Sequence, residues 1–206
     1  NLRTEKVVYQ FNKIAQLLGV NGSSSDQVIT HFAYDSRMYI ENPKATLFTA
    51  IKTDTNDGHL YIEELIAQGV QHFIISDSSY ITDKAHFIAM SDGLKALQML
   101  AAAYRANSNA KIIGITGSNG KTICKDALWA ICTHAGLNTI RSPRSFNSQL
   151  GVALSLLQLK EDTEIAVIEA GVSKPGEMDG LASMIQPEIS ICTHLGDAHD
   201  VGFKNI

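Results

Sequence analysis

The chain has 206 residues, 45% of them apolar and 18% charged, which is a globular composition with ample core material and excludes intrinsic disorder. At about 150 residues per domain the length predicts one to two domains. Seventeen basic against 21 acidic residues leave a net charge of −4, so the charge pattern points neither to nucleic acid nor to an anionic membrane as partner.

In chain order, Val7, Val8, Phe11, Ile14, Ala15, Leu17 and Leu18 recur at helical spacing, and Gly19 stands where a C-terminal cap belongs. Strands are predicted over Gln27 to Ala33 and Thr46 to Lys52, with Asp35-Ser36-Arg37 and Asn42-Pro43 as loops between them. A polar turn from Thr53 to Gly58 leads into a helix over His59 to Gln68, closed by Gly69. His72 to Ser76 and His86 to Met90 read as strands, and Leu94, Leu97, Leu100, Ala101 and Tyr104 as the stripe of another helix. Asn107-Ser108-Asn109 is polar and turn-forming, so a domain boundary is expected there, dividing the chain into 1–108 and 109–206.

After it the rhythm is regular. Strands over Lys111 to Thr116, Asn138 to Arg141, Glu164 to Glu169 and Glu188 to Thr193 alternate with helices to about Ala135, over Leu150 to Leu159 and over Glu177 to Ile185. Repeated βα units with apolar strands predict an α/β fold with a parallel sheet, whose ligands sit beyond the carboxyl ends of the strands.

No stretch approaches the roughly 18 apolar residues of a membrane span, and the first residues lack the apolar core of a secretory signal. Cys124, Cys132 and Cys192 form no CxxC pair, which argues for a reduced, cytoplasmic protein rather than a disulfide framework or a zinc site. The absent initiator Met and the ending Phe203-Lys-Asn-Ile lead us to expect part of a longer chain.

Lys111-Ile-Ile-Gly-Ile-Thr-Gly-Ser-Asn-Gly-Lys-Thr122 is the most informative segment. An apolar strand enters a turn containing Gly117, Ser118, Asn119 and Gly120, and Lys121-Thr122 opens a helix. Amides converging on phosphate oxygens need residues with free choice of φ, and the helix N-terminus adds partial positive charge. Lys121 offers a full charge to the β- and γ-phosphates of a nucleotide, and Thr122 a hydroxyl to Mg²⁺. A bland βα turn would leave a lysine in the first helical turn facing the wrong end of the dipole. Ile115 stands where common P-loops place their first glycine.

Glu169, ending the run Ile165-Ala-Val-Ile, is either a solvated strand end or a Mg²⁺ ligand across from the loop. His199, in Thr193-His-Leu-Gly-Asp-Ala-His-Asp200, is a surface residue or a second metal ligand, and His194 has the weaker claim. His31, His59, His72, His86 and His134 show no ligand spacing to one another. No Cys–His or Ser–His arrangement competes for the chemistry.

Thr116-Gly-Ser-Asn-Gly-Lys-Thr122 resembles the ATP loop of the Mur ligases, the ATP-dependent amide-forming enzymes of peptidoglycan precursor synthesis. Lys125-Asp126, Phe146-Asn-Ser-Gln-Leu-Gly-Val-Ala-Leu-Ser-Leu-Leu157 and Glu169-Ala-Gly-Val-Ser-Lys-Pro-Gly-Glu177 look like the branch that joins D-alanyl-D-alanine to UDP-N-acetylmuramoyl-tripeptide. Asp35-Ser36-Arg37, Leu47-Phe-Thr-Ala-Ile51 and Asp57-Gly58-His59 are similar to an N-terminal UDP-binding domain shared with the preceding ligase, which adds the third amino acid.

The resemblance implies a small α/β UDP-binding domain followed by an incomplete P-loop ATPase domain, with the C-terminal acceptor domain absent. It implies ATP held by Gly117, Ser118, Asn119, Gly120, Lys121 and Thr122, a first Mg²⁺ on Thr122 and Glu169, and a second metal on His199. Ser36, Arg37 and Asn147 would contact the UDP-sugar. His194 stands where the family usually has Asn, and the family's carbamylated lysine would lie beyond His199, with Lys204 a poor candidate. The motif at Glu169 most resembles versions fused to an alanine racemase. The 206 residues alone are expected to bind without catalysing, and the alternatives are the preceding ligase or a nucleotide-binding module that ligates nothing.

Overall fold

A computed structural model of the chain describes residues 9–21, 24–194 and 196. Two compact units, Asn1–Leu100 and Ala101–Ile206, divide it. The fold is mixed α/β with two four-stranded parallel sheets.

The first unit begins with β1 (Tyr9–Gln10) and α1 (Phe11–Leu17), and β2 (Val28–Ile29) pairs antiparallel with β1. The helix expected from Val7 therefore starts at Phe11. Gln10 is extended at ψ 136°, and β-prone residues beside a waiting partner strand favour pairing over another helical turn. Val7 and Val8 lie outside the described residues. The first amides of α1 have no helical acceptor of their own. Phe11 and Asn12 give theirs to the carbonyls of Gln27 and Ser25, at 3.0 and 3.2 Å.

β3 (His31–Ala33), β4 (Thr46–Thr49), β5 (His72–Ile75) and β6 (His86–Ala89) form the parallel sheet in that order. The single strand expected over Gln27 to Ala33 is thus split, because its halves pair in different sheets. The helix expected over His59 to Gln68 opens as a 3₁₀ turn, Gly58–Tyr61, before α2 (Ile62–Ala67). Asp57 dictates that opening: its carboxylate accepts from the His59 amide at 3.0 Å and from His59 Nδ1 at 2.6 Å. Phe48, Phe73 and Phe87 stand in register on adjacent strands and pack as a ladder, with ring centroids 6.2 and 5.4 Å apart. Buried on both faces, such strands read as continuous apolar runs.

α3 (Gly93–Ala106) starts on Asp92, whose carboxylate accepts from the Leu94 and Lys95 amides at 2.8 and 3.2 Å. In the second unit, β7 (Lys111–Thr116), α4 (Lys121–His134), β8 (Thr139–Arg141), α5 (Gln149–Leu156), β9 (Ile165–Glu169), α6 (Glu177–Ile185) and β10 (Ile189–Cys192) alternate as expected. The sheet order is β10-β7-β9-β8, all parallel. Its centre is fully apolar: Ile112, Ile115, Ala166, Val167 and Ile168 are buried.

Arg105 ties the entrance of this unit together. It is 8% exposed, and its guanidinium donates to the carbonyls of Ile185 and Gln186 at 3.0 and 2.9 Å and to Glu188 Oε1 at 2.9 Å. Glu188 Oε2 accepts the Ile112 amide at 2.6 Å, so one ion pair joins α3, β7 and the end of α6. Arg105→Ala leaves those acceptors without a donor, and urea unfolding is expected to show a loss of about 3 kcal/mol. A loss under about 0.5 kcal/mol would show that the tie is dispensable.

In the first unit His72 and His86 stack at 5.3 Å, with Phe11 4.9 Å from His72. Burial, then the neighbouring His86, lowers the His72 pKa from 6.5 to about 4. Above pH 6.5 the ring is neutral in both folded and unfolded chains. As pH falls from 6.5 toward 4, the unfolded chain takes up a proton that the folded one refuses. Stability is therefore expected to decline across that window by about 2 to 3 kcal/mol, and His72→Phe to flatten the decline. An unchanged slope in urea melts of the variant would contradict this.

Candidate active site

The site grows from the turn between β7 and α4. Gly117 has φ +129° and Gly120 φ +82°, conformations that a side chain disfavours. A Cβ on Gly117 would also collide with the Thr193 hydroxyl. That hydroxyl donates within reach of two loop carbonyls, Thr116 at 3.2 Å and Asn119 at 2.5 Å, so the residue after β10 clamps the turn. The Ser118 amide donates to the His194 carbonyl at 2.6 Å, and the Ser118 hydroxyl to that of Gly196 at 2.8 Å. Part of the loop's donor set is thus spent on its own support. The helix N-cap is Gly120, which supplies no side-chain acceptor to the first amides of α4, the arrangement in which an anion takes the cap's place.

Lys121 folds back over the turn, its Nζ donating to the carbonyls of Gly117 at 2.6 Å and Ser118 at 3.2 Å. The next residue faces β9. Thr122 Oγ1 donates to Glu169 Oε2 at 3.0 Å, and Asn147 Nδ2 donates to Glu169 Oε1 at 2.9 Å. The register Ile115 opposite Glu169 brings this carboxylate to the rim where β7 turns into the loop. Glu169 is 1% exposed, so it is no solvated strand end. Its amide donates to the buried Ser142 hydroxyl at 3.0 Å, and Lys125, equally buried, places Nζ 3.7 Å from Oε2. A charge so placed costs several kcal/mol unless paired and hydrogen-bonded, and here it is both.

The hydroxyl and carboxylate oxygens are hard ligands, and their 3.0 Å separation matches the roughly 3.0 Å between neighbouring oxygens of a Mg²⁺ octahedron with bonds of about 2.1 Å. The donor set therefore fits Mg²⁺ on Thr122 and Glu169. His199 and Lys204 lie outside the described residues. Among the described residues, no group of three His, Cys, Asp or Glu is arranged to hold a metal.

Asn147, which the resemblance implies as a contact of the UDP-sugar, also donates to Glu169. Ser36 and Arg37 belong to the first unit. There Arg37 forms a bidentate pair with Asp35 at 2.8 and 2.6 Å, and these hydrogen bonds lower the Asp35 pKa to about 2. The Arg37 side chain remains exposed, with its charge presented outward. Sequence reasoning missed Ser142 and the partnership of Lys125 with Glu169. The one available signal was a lysine in the stripe Cys124, Lys125, Leu128, Cys132, the face that α4 turns inward.

Residues 115–206 match the family model for the Mur ligase middle domain. The UDP-N-acetylmuramoyl-tripeptide–D-alanyl-D-alanine ligase of Rickettsia prowazekii is 36% identical over 156 residues, covering 76% of this chain and 34% of that protein. The ligase of the same name from Bacillus subtilis is 35% identical over 187 residues, covering 87% and 39%. A crystal structure of MurF from Acinetobacter baumannii superposes with TM-score 0.82 at 28% identity, over 94% of this chain and 42% of that one. The MurF ligase from Thermotoga maritima, solved in complex with ADP, gives 0.71 at 27% identity, over 82% and 38%. The chain thus spans between about a third and two fifths of the length of these proteins. With the loop, the parallel sheet and these likenesses together, the chain belongs to the Mur ligase family.

Proposed function

We propose that this chain is the nucleotide-binding portion of an ATP-dependent ligase that joins D-alanyl-D-alanine to UDP-N-acetylmuramoyl-tripeptide in peptidoglycan precursor synthesis. The observation that carries the reading is the 3.0 Å approach of Thr122 Oγ1 to the buried Glu169 carboxylate, beside a turn closed by Lys121. The relatives named for that reaction and the ADP-bound neighbour support it.

The chemistry explains the residues. A carboxylate does not acylate an amine at neutral pH, because its carbonyl carbon is poorly electrophilic and oxide cannot leave. Attack of a tripeptide carboxylate oxygen on the γ-phosphorus of ATP releases ADP and gives an acyl phosphate. The amine of D-alanyl-D-alanine then attacks the acyl carbon, inorganic phosphate leaves and the nitrogen gives up its proton. Such a route needs neutralised charge and alignment rather than a covalent nucleophile. In this reading Lys121 swings from the Gly117 and Ser118 carbonyls to the β- and γ-phosphates, and the first amides of α4 hold phosphate oxygens. Thr122 and Glu169 would hold Mg²⁺, which supplies charge neutralisation between phosphate and substrate carboxylate. His199 would hold a second metal, and Ser36, Arg37 and Asn147 would contact the UDP-linked substrate. ATP and a UDP-linked substrate imply a cytoplasmic site of action.

The 206 residues are proposed to bind nucleotide without completing ligation. Lys121→Ala is expected to weaken ATP binding by tenfold or more in a calorimetric titration, and to abolish acyl-phosphate formation in a protein carrying the remaining domains. Unchanged binding and single-turnover phosphorylation would contradict the assignment of Lys121. In that longer protein, product is expected with D-alanyl-D-alanine and UDP-linked tripeptide. Product with diaminopimelate or lysine and UDP-linked dipeptide instead would move the chain to the preceding ligase.

A further inference from the structure

Lys125 is not used by the chemistry above, yet it is 1% exposed, which lysine accepts only when its charge is answered. Its Nζ donates to the Arg144 carbonyl and stands 3.7 Å from Glu169 Oε2 and 3.5 Å from Asp126 Oδ1. Asp126 is about half exposed and is also paired with Arg141 at 2.9 Å, so Arg141 and solvent already answer its charge. Glu169 is as buried as Lys125, and among the described residues its ion pair is with Lys125. The oxygen that faces Lys125, Oε2, is the one that meets Thr122.

We propose that Lys125 is a positioning residue that stands in for the divalent cation at Glu169, so that the metal enters with the nucleotide rather than before it. This rests on the reading of Thr122 and Glu169 as the metal's protein ligands. The fixed ammonium neutralises the carboxylate, and with Asn147 it holds both oxygens in place while no metal is bound. A divalent ion arriving alone must share Oε2 with a cation a few ångströms away, which repels it. The negative charge of bound phosphates offsets that repulsion, so the ion is held once nucleotide supplies the remaining ligands. Tethering of the Lys125 ammonium to the Arg144 carbonyl keeps it from swinging clear.

The test is Mn²⁺ binding to the whole chain, read from the electron paramagnetic resonance signal of the free ion, with and without ADP. The unmodified chain is expected to hold Mn²⁺ at least tenfold more tightly with ADP than without it. Lys125→Met is expected to bind Mn²⁺ without nucleotide at least tenfold more tightly than the unmodified chain, so that the dependence on ADP shrinks. Lys125→Met/Glu169→Gln is expected to lose the gain. Because Lys125→Met strands a buried carboxylate, its melting temperature is also followed against Mn²⁺ and Mg²⁺, and a rise larger than that of the unmodified chain supports the stand-in role. An unmodified chain that holds no Mn²⁺ even with ADP overturns the metal reading and this inference together. If it does hold Mn²⁺, a Lys125→Met chain that binds no more tightly, or that no divalent concentration refolds, overturns the inference alone.

Discussion

A single buried carboxylate organises the second unit. Glu169 ends β9 with its side chain out of solvent, a placement that costs several kcal/mol without full compensation. Two segments converge on it: α4 brings Thr122 and Lys125 to the carboxylate, and the connection between β8 and α5 brings Asn147 to the carboxylate and the Ser142 hydroxyl to the Glu169 amide. Each contact fixes an element against β9, so the charge that a ligand would use also sets the spacing of α4 and the loop after β8 over the sheet. Replacing the group by an apolar residue would relieve the desolvation but leave three donors aimed at nothing, a worse outcome than the original cost.

The turn between β7 and α4 is supported from the opposite side of β7. Thr193, just past β10, clamps two of its carbonyls, and the His194 and Gly196 backbone engages Ser118. The turn therefore sits between two neighbours of one central strand, β9 with its acid and β10 with its clamp. This is the position at the carboxyl ends of parallel strands where α/β sheets gather ligands. A left-handed glycine on either side of the turn lets the backbone enter that narrow space.

Much of this was legible from local pattern. β7 and α6 have the bounds that their apolar runs and flanking turns predicted, and the strand–turn–helix context of Lys121 and Thr122 follows from residues adjacent in sequence. Boundaries failed where tertiary pairing outvoted periodicity. The strand from Gln27 broke in two because its halves had different partners, and the helix from Val7 gave up its start to a two-residue strand. Ser142, and the meeting of Asn147 and Lys125 with Glu169, escaped detection because they depend on the register of β8 against β9 and on the rotation of α4. A polar side chain in an apolar stripe marks such a meeting without naming its partner, as Lys125 illustrates. The Asn147 segment was legible through its resemblance to the ligase family, and the geometry adds a hydrogen bond from its amide to Glu169.

We propose that Thr122 and Glu169 grip one cation against a triphosphate. A crystal structure with Mn²⁺ and a non-hydrolysable ATP analogue, with the metal located by anomalous scattering, tests this most directly. An anomalous peak is expected within about 2.2 Å of both Thr122 Oγ1 and a Glu169 carboxylate oxygen, with the phosphates against the start of α4. A nucleotide seated elsewhere, or a metal held by phosphates alone while Thr122 still bonds to Glu169, would contradict it.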